Sequence, residues 1–256
     1  MDGGYVAAHH LPLHALTITT ARPNAHLLAS ARDAIAGRLA ALGLRTVIVD
    51  DWRALLALNR QQREGWFALL PKPRDAPAFW LAAVDTAGDI VATHAAVLVD
   101  CRTHSFGERL ADLSAFHDAG EAPAEDWCFC ASDAAFETCG MVAWIVAGWT
   151  RPDWRGRGLF HVLGAAVRLV CCERWAPRWW VGLVDPETVP VWSGRSAGRR
   201  LLEPRPRILF QQSGVGRLPL HLLRYSRQAV LLDLKARTSV PHAELNRREH
   251  GTPIAA

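Results

Sequence analysis

The sequence predicts an α/β fold in which helices flank a sheet, and three features lead to this prediction. Apolar residues recur at helical spacing over 24–42, a turn-forming segment joins apolar runs of strand length at 79–84 and 90–99, and a helical pattern follows the apolar strand at 141–149. The 256 residues suffice for a sizeable core, and half of them are hydrophobic. We therefore expect one large folded unit with extensions at its ends.

The first seventy residues alternate between short strands and helices. The segments are, in order, a flexible lead-in (1–15), a strand (16–20), a helix (24–42), a strand (46–49) and a helix that starts at 51. Gly43 ends the first helix because glycine adopts the left-handed conformation that closes a helix. Pro71 and Pro73 stop the second helix, since proline cannot continue one.

A hairpin and an insertion follow. Phe79–Val84 and Ile90–Val99 flank Asp85–Asp89, whose composition is typical of a tight turn, so these runs predict an antiparallel pair. The stretch 101–138 is acidic and rich in alanine, with only a weak helical pattern over 108–116. We interpret this stretch as an insertion that lies over the sheet.

The second half resumes the alternation of strand and helix. Its segments are a strand at 141–149 that is apolar on both faces, a helix (159–175), a buried strand (179–184), a short helix (187–197) and a terminal strand pair (207–212 and 220–225). A strand that is apolar on both faces is expected in the middle of a sheet. The predicted organisation is thus a lead-in (1–15), one domain (16–225), and a helical extension with a loose tail (226–256).

The cysteines and the hydropathy favour a reduced, cytoplasmic protein that does not enter a membrane. The N-terminus lacks the regions of a secretory signal, and there is no run of about 18 uncharged apolar residues. The six cysteines follow no disulfide spacing. A metal site is the competing interpretation for Cys128, Cys130, Cys139 and His117, but their spacing differs from the usual zinc pairs, and we expect no metal.

Charge is distributed unevenly along the chain. The formal net charge is only +4, but basic residues outnumber acidic ones from Arg151 onward, whereas 101–138 is strongly acidic. This asymmetry indicates an anionic cofactor for the second half and, for the insertion, either a cationic substrate or simply a solvated acidic loop. A nucleic-acid-associated role would draw only on the basic half, and no reading motif supports it.

The segment between the central strand and its helix is suited to binding phosphate. Thr150–Trp154 leads into Arg155-Gly156-Arg157-Gly158, and the helix begins at once. Glycines allow a tight turn in which successive backbone N–H groups converge, and the helix adds the positive end of its dipole. Such a nest binds phosphate oxygens.

Two other phosphate-binding motifs fit this segment less well. A dinucleotide-binding GxGxxG would need glycine at His161. A Walker loop would need Gly-Lys-Ser/Thr, which does not follow here.

Pro152–Leu159 resembles the cofactor-binding signature of the GNAT acetyltransferase superfamily, Q/R-x-x-G-x-G/A, with Arg155 first, Gly158 fourth and Phe160 sixth. The order of predicted elements over 16–225 is similar as well. The resemblance implies a mixed, mostly antiparallel twisted sheet flanked by helices. It also implies a V-shaped splay between the central strand and the next strand, where acetyl-CoA would bind as co-substrate.

The resemblance also implies which residues hold the coenzyme. Backbone groups of Gly148, Trp149 and Thr150 would pair with the pantetheine arm. The amides of Arg155, Gly156, Arg157, Gly158, Leu159 and Phe160 would hold the pyrophosphate. The sixth position is usually glycine or alanine; a phenylalanine there can donate its amide if its ring packs outward. Beyond the short helix, Arg195, Arg199 and Arg200 are candidates for the adenosine 3′-phosphate, and a basic surface is the alternative interpretation.

Acylation of an amine requires a base, and the departing thiolate can use an acid. As base we favour Glu137, with His94 and His104 as competitors, and a base acting through ordered water is a further alternative. The family's acid is often a tyrosine; here that position falls on Trp192, which cannot serve, so Ser193 is the nearest hydroxyl. Departure of the thiolate without a protein acid is equally open.

We therefore expect a GNAT-type N-acetyltransferase that moves acetyl from acetyl-CoA to a primary amine of a small molecule. The alternative is a non-catalytic acyl-CoA-binding or interaction domain of the same fold, which Trp192 favours. We expect no nucleic-acid or membrane partner, and a homodimer is compatible with the sequence.

Overall fold

The computed structural model describes residues 10–21, 24–193 and 200–239, without the side chains of Ser193 and Ser239. The N-terminal half comprises β1 (Leu11–Pro12), α1 (Ala25–Ala41), β2 (Arg45–Val49), α2 (Trp52–Gln61), β3 (Ala78–Val84), β4 (Ile90–Cys101), α3 (Phe106–Ala111), β5 (Trp127–Cys130) and α4 (Asp133–Phe136). The C-terminal half comprises β6 (Gly140–Thr150), α5 (Leu159–Arg174), β7 (Trp179–Val184), α6 (Val189–Ser193), β8 (Leu201–Leu202), β9 (Ile208–Gln212), β10 (Gly216–Ser226) and α7 (Arg227–Ser239).

The strands form one mixed sheet in the order β1-β2-β3-β4-β6-β7-β10-β9-β5, with β8 beside β10. Within the described residues the pairing of β6 with β7 is parallel and every other pairing is antiparallel. The predicted fold class is therefore confirmed, including the hairpin β3–β4, the central position of β6 and the terminal pair β9–β10.

Both faces of the sheet are covered, which explains why the central strands are apolar on both sides. Helices α1, α5 and α7 pack on one face through residues such as Ile35, Leu163 and Val230. On the other face, α2 contributes Leu55 and the insertion contributes Phe106 and Phe116. Burial on both faces removes the polar alternation that marks a half-exposed strand.

The segment 16–20 is not the strand that was predicted. Leu16 and Ile18 are buried, but the backbone bonds to side chains instead of to a strand: the Leu16 carbonyl accepts from Arg32 Nη1 at 2.8 Å, and the Thr19 amide donates to Glu173 Oε1 at 3.2 Å. Leu13 is buried too, so the ordered chain begins before residue 16.

The insertion lies over the sheet as predicted, and it also lengthens the sheet. Its helix α3 begins at a capping box formed by Ser105 and Glu108 and is shorter than the predicted 108–116. Its strand β5 pairs with β9 and so forms the far edge of the sheet. The helix predicted for 187–197 is a single 3-10 turn followed by α6, and its last residues lie outside the described part of the chain.

The parallel pair at the centre of the sheet separates halfway along. Strand β6 pairs with β7 from Val142 to Ile145 only, whereas the end of β7 remains paired with β10. At this point β6 contains a bulge at Ala147, which has φ +55° and whose carbonyl accepts a hydrogen bond from Thr93 Oγ1 at 2.8 Å. Because a bulge bends its strand, β6 leaves β7 here, and the expected splay is present.

Candidate active site

The turn between β6 and α5 presents backbone N–H groups that have no acceptor among the residues that the structure describes. Gly156 and Gly158 have φ of +78° and +73°, a region that L-residues with side chains adopt at a cost. The amides of Trp154 and Arg155 bond within the turn, and those of His161 and Val162 bond to the Gly158 carbonyl.

Between these two sets, the amides of residues 156–160 donate to no group in the described part of the chain. These amides lie before and in the first turn of α5, a helix of 16 residues, so its dipole adds to their positive field. Residues 155–157 are also exposed to solvent. This turn is therefore accessible and suited to an anion.

The turn opens into a cleft of about 1100 Å³ between β6 and the end of β7. Its walls come from the segment after α2, the end of β6, the start of α5, the 3-10 turn after β7, and the β9–β10 hairpin. The lining includes residues 63–68, Gly148, Trp149, Thr150, Leu159, Phe160, His161, Glu187, Thr188, Gly214 and Val215. Beyond Ile145 the edge of β6 that faces β7 has no strand partner in the described segments, so its backbone is available along the cleft.

The side chains of the two arginines in the turn brace it. Arg155 donates from Nε to the Thr150 carbonyl and from Nη2 to the Gly65 carbonyl, both at 3.3 Å. These bonds tie the turn to the segment after α2. The guanidinium of Arg157 lies over the Trp154 ring at 4.3 Å from its centroid. Arg155 therefore supports the shape of the turn, a role that the sequence pattern did not reveal.

Phe160 packs inward, in contrast to the predicted outward orientation. A methyl group built at Gly148 would lie only 2.6 Å from Phe160 Cε2, so the ring occupies the space that the glycine leaves. The ring also meets His94 and Trp192, with centroid distances of 4.7 and 5.1 Å. The missing side chain at Gly148 thus explains how a bulky residue fits at the sixth position of the motif.

His94 lies beneath the cleft. It is 2% exposed, and neither ring nitrogen has a hydrogen-bond partner in the described structure. Burial, aided by the positive charge of Arg168, lowers the pKa of His94 to about 3, against a weak opposing effect of the Phe160 carbonyl. His94 is therefore neutral at physiological pH, and Gly148 and Phe160 separate it from the cleft.

Glu137 and His104, two of the predicted catalytic residues, are not brought to the cleft. Glu137 follows α4 at the opposite end of β6, roughly 25 Å along the strand from Gly148. Its exposed carboxylate pairs with Arg224 Nη2 at 3.4 Å. His104 follows β4 at that same remote end of the sheet. The side chain of Ser193 lies outside the described residues, as do Arg195 and Arg199.

Two acidic residues that sequence reasoning missed, Glu64 and Glu187, line the cleft. Glu187 belongs to the turn that directly follows β7, where the Asp185 side chain accepts from its amide at 2.8 Å. The sequence could have identified Glu187 from its position just after β7, the strand from which β6 separates. No local pattern identified Glu64, because it enters the cleft through the tertiary packing of Trp66, which stacks on Trp149 with centroids 5.1 Å apart.

The alternative metal site does not form. Cys128 and Cys130 lie on β5, His117 bonds through Nε2 to Asp126 at 2.9 Å, and Cys139 lies beyond α4. Within residues 10–21, 24–193 and 200–239, no three metal-binding side chains come together. Burial raises the pKa of Cys128 to about 12, so its thiol keeps its proton.

Over residues 10–21, 24–193 and 200–239, no helix combines the length and the apolar character needed to cross a bilayer.

Comparison with known proteins gives similarity at the level of solved structures. No protein-family model and no curated protein matches the chain. The chain is similar to a putative acyl-CoA N-acyltransferase from Klebsiella pneumoniae subsp. pneumoniae, at 14% identity and a TM-score of 0.37, over 72% of this chain and 97% of the other. It is also similar to Arabidopsis thaliana NAA60 in complex with acetyl-CoA, at 13% identity and a TM-score of 0.40, over 72% of this chain and 99% of the other. Similarity to the GNAT domain of S. lividans PAT has 15% identity and a TM-score of 0.38, over 72% of this chain and 90% of the other. Identities this low concern the fold alone, so the function has to be inferred from the cleft.

Proposed function

We propose that this protein is an acyl-CoA-dependent N-acyltransferase that moves acetyl from acetyl-CoA to the primary amine of a small molecule. One observation supports this most strongly: the amides of 156–160, which have no acceptor in the described structure, open into the cleft beside the unpaired edge of β6. The two phosphates of coenzyme A suit these donors, and its extended arm suits a strand edge that lacks a partner.

Each part of the coenzyme has a proposed seat. The amides of Gly156 to Phe160 receive the pyrophosphate, with Arg155 holding the turn in place. The pantetheine arm follows the backbone from Thr150 back to Gly148, which places the thioester near the bulge of β6. Arg200 is the described residue of the three arginines considered for the 3′-phosphate; it lies over the Trp192 ring at 5.8 Å from its centroid.

Acyl transfer then proceeds by direct attack. The neutral amine adds to the thioester carbonyl, the C–S bond breaks, and the amine nitrogen loses a proton while the thiolate departs. Glu187 and Glu64 line the cleft, and either carboxylate can accept that proton directly or through water. Their negative charge also attracts an ammonium form of the acceptor before deprotonation.

The acidic insertion contributes less to this attraction than its charge suggests. Glu121 pairs with Arg74 at 2.9 Å, Asp126 with His117, and Glu108 is committed to its capping box. These pairs favour the interpretation of the insertion as a solvated structural element. The acceptor is therefore attracted chiefly by the two carboxylates of the cleft.

Binding is tested first, by thermal unfolding with CoA and acetyl-CoA. A ligand that binds only the folded state raises the melting temperature. Arg155→Glu places a negative charge beside the nest and removes two bonds that hold it, so we expect the rise to be lost. Arg178→Glu, at an exposed position where β7 begins, serves as the matched control. No rise with the wild-type protein, or an equal rise with Arg155→Glu, would contradict the proposed coenzyme seat.

Turnover separates the enzyme from a non-catalytic binding domain of the same fold. Trp192, in place of a tyrosine, favours the latter: its indole packs edge-on against Phe160 and His161. Thiol release from acetyl-CoA, measured with a panel of small amines, should exceed the hydrolytic background for at least one of them. Glu187→Gln and Glu64→Gln should each lower that rate if their carboxylate accepts the proton. Coenzyme binding without amine-dependent release across the panel would favour the binding domain.

A further inference from the structure

A second, smaller cavity of about 40 Å³ lies beside the cleft, enclosed by α5, α6, β10 and α7. Its polar lining comes from Arg168, Arg200, Arg237, Asp233, Tyr225 and the indole of Trp192. Three arginines and one aspartate thus line one small cavity. Of these residues, the proposed coenzyme-binding site includes only Arg200, as a candidate ligand of the 3′-phosphate.

Arg168 is the buried member of this group. It is 5% exposed, its Nη2 donates to Asp233 Oδ2 at 3.0 Å, and its guanidinium lies over the Tyr225 ring at 5.0 Å from the centroid. Its Nε has no hydrogen-bond partner in the described structure. A buried cationic donor without an acceptor is costly, so an anion in this cavity would satisfy it.

The size and charge of the cavity select among anions. A volume of 40 Å³ holds about three water-sized groups. That is the number of heavy atoms in a carboxylate, and the planar guanidinium matches a carboxylate better than any other side chain does. A phosphate, with five heavy atoms, is larger than this space.

The cavity and the cleft share a wall. Phe160 and His161 line both, and Gly164 lines the cavity one helical turn further along α5. A methyl group built at Gly164 would lie 3.5 Å from Arg168 Nη1 and 3.6 Å from His94 Nε2, so both side chains pack beside this glycine. A group seated in the cleft next to Phe160 is thus one side chain away from Arg168.

We infer that this cavity is a carboxylate subsite of the acyl-transfer site, centred on Arg168. The inference rests on the proposed function for the identity of the ligand that carries the carboxylate. That ligand is either an acyl-CoA whose acyl chain ends in a carboxylate, or an amine acceptor with a carboxylate, such as an amino acid. Both sources supply the same group to the same guanidinium.

The first experiment needs no coenzyme. The full chain is titrated with succinate at constant ionic strength, with NaCl as the matched salt, and the melting temperature is recorded. We expect a saturable rise with succinate that is lost in Arg168→Met. The rise should be retained in Arg178→Met, because Arg178 is exposed and does not line the cavity. Arg200→Met, less buried and therefore a mild change, should weaken the response severalfold even if Arg168→Met unfolds.

Two further arms distinguish the sources. Succinyl-CoA and butanoyl-CoA have acyl chains of equal length and differ in the terminal carboxylate, and an amino acid and its decarboxylated amine form the corresponding acceptor pair. We expect at least a tenfold preference for the carboxylate-bearing member of one pair, measured as affinity or as turnover. Arg168→Met should abolish that preference while CoA itself binds as before.

The two proposals fail separately. If CoA does not bind but succinate protects the wild type through Arg168, the acyl-transfer proposal fails and the carboxylate site stands. If succinate gives no more protection than NaCl, or if both variants respond as the wild type does, the carboxylate site is refuted whatever the outcome with CoA.

Discussion

Replacing Gly148 by alanine tests the packing that connects the strand edge to the coenzyme-binding turn. The added methyl group would lie 2.6 Å from Phe160 Cε2 and 3.0 Å from His94 Cε1, whereas carbon atoms in ordinary contact are about 3.5–4.0 Å apart. The Phe160 ring must therefore move by about 1 Å. Overpacking of this kind costs about 1–3 kcal/mol, which corresponds to a fall in melting temperature of roughly 2–12 °C for a chain of this length.

Urea unfolding of a matched set measures this cost. Gly164→Ala is the control, because its methyl group would meet its nearest neighbours at an ordinary 3.5 Å and because alanine stabilises a helix by about 0.5–1 kcal/mol relative to glycine. The two substitutions should thus have opposite signs. In a Phe160→Leu background the ring is gone, so Gly148→Ala should cost less than half as much. An equal cost with and without Phe160, or no cost at all, would refute the packing as described.

Three other perturbations follow from the site. Gly156→Ala and Gly158→Ala should each lower the free energy of unfolding by about 1–2 kcal/mol and reduce the thermal shift with CoA. Gly43→Ala, at φ +74° where α1 ends, is the control: it should lower the stability by a similar amount and leave the thermal shift with CoA intact. Because His94 has a folded pKa of about 3 against an ordinary 6.5, the unfolded chain takes up this proton first. The unfolding free energy should therefore fall as pH drops from about 6.5 towards 3, and His94→Leu should flatten that slope in urea titrations; an unchanged slope would count against the burial of a neutral ring. Trp192→Tyr supplies a phenol at the family's acid position, so amine-dependent thiol release should rise severalfold while Trp192→Phe gives no gain, and equal rates for both would show that no acid is needed there.

Local sequence patterns were sufficient to predict those features whose structure a single segment determines. The Gly156 and Gly158 turn between β6 and α5 follows from glycine conformation and helix dipoles alone, and the position of β6 follows from its apolar faces. The strand predicted at 16–20 was wrong because Arg32 and Glu173, both distant in sequence, satisfy its backbone. Local propensity contains no information about such partners.

Local sequence also gave no information about the distance between Glu137, the favoured base, and the cleft. Glu137 was favoured because it precedes the central strand in sequence, but that end of β6 is remote from the splay. Glu64 and Glu187 enter the cleft from segments on opposite sides of it. Only the arrangement of the folded chain brings them together, so the sequence could identify the coenzyme turn and not the residues that complete the site.

The route of the chain through β5 has a consequence for the order of folding. Strands β4 and β6 are neighbours, yet the segment between them crosses to the far edge, where Trp127–Cys130 pairs with residues 208–211. During synthesis, this edge strand cannot pair until some eighty further residues have been made. Two of its side chains, Trp127 and Phe129, remain partly exposed even in the complete fold. Closing so long a loop is slow, so nascent chains that stop short of β9 should be the species most prone to self-association and most dependent on chaperones.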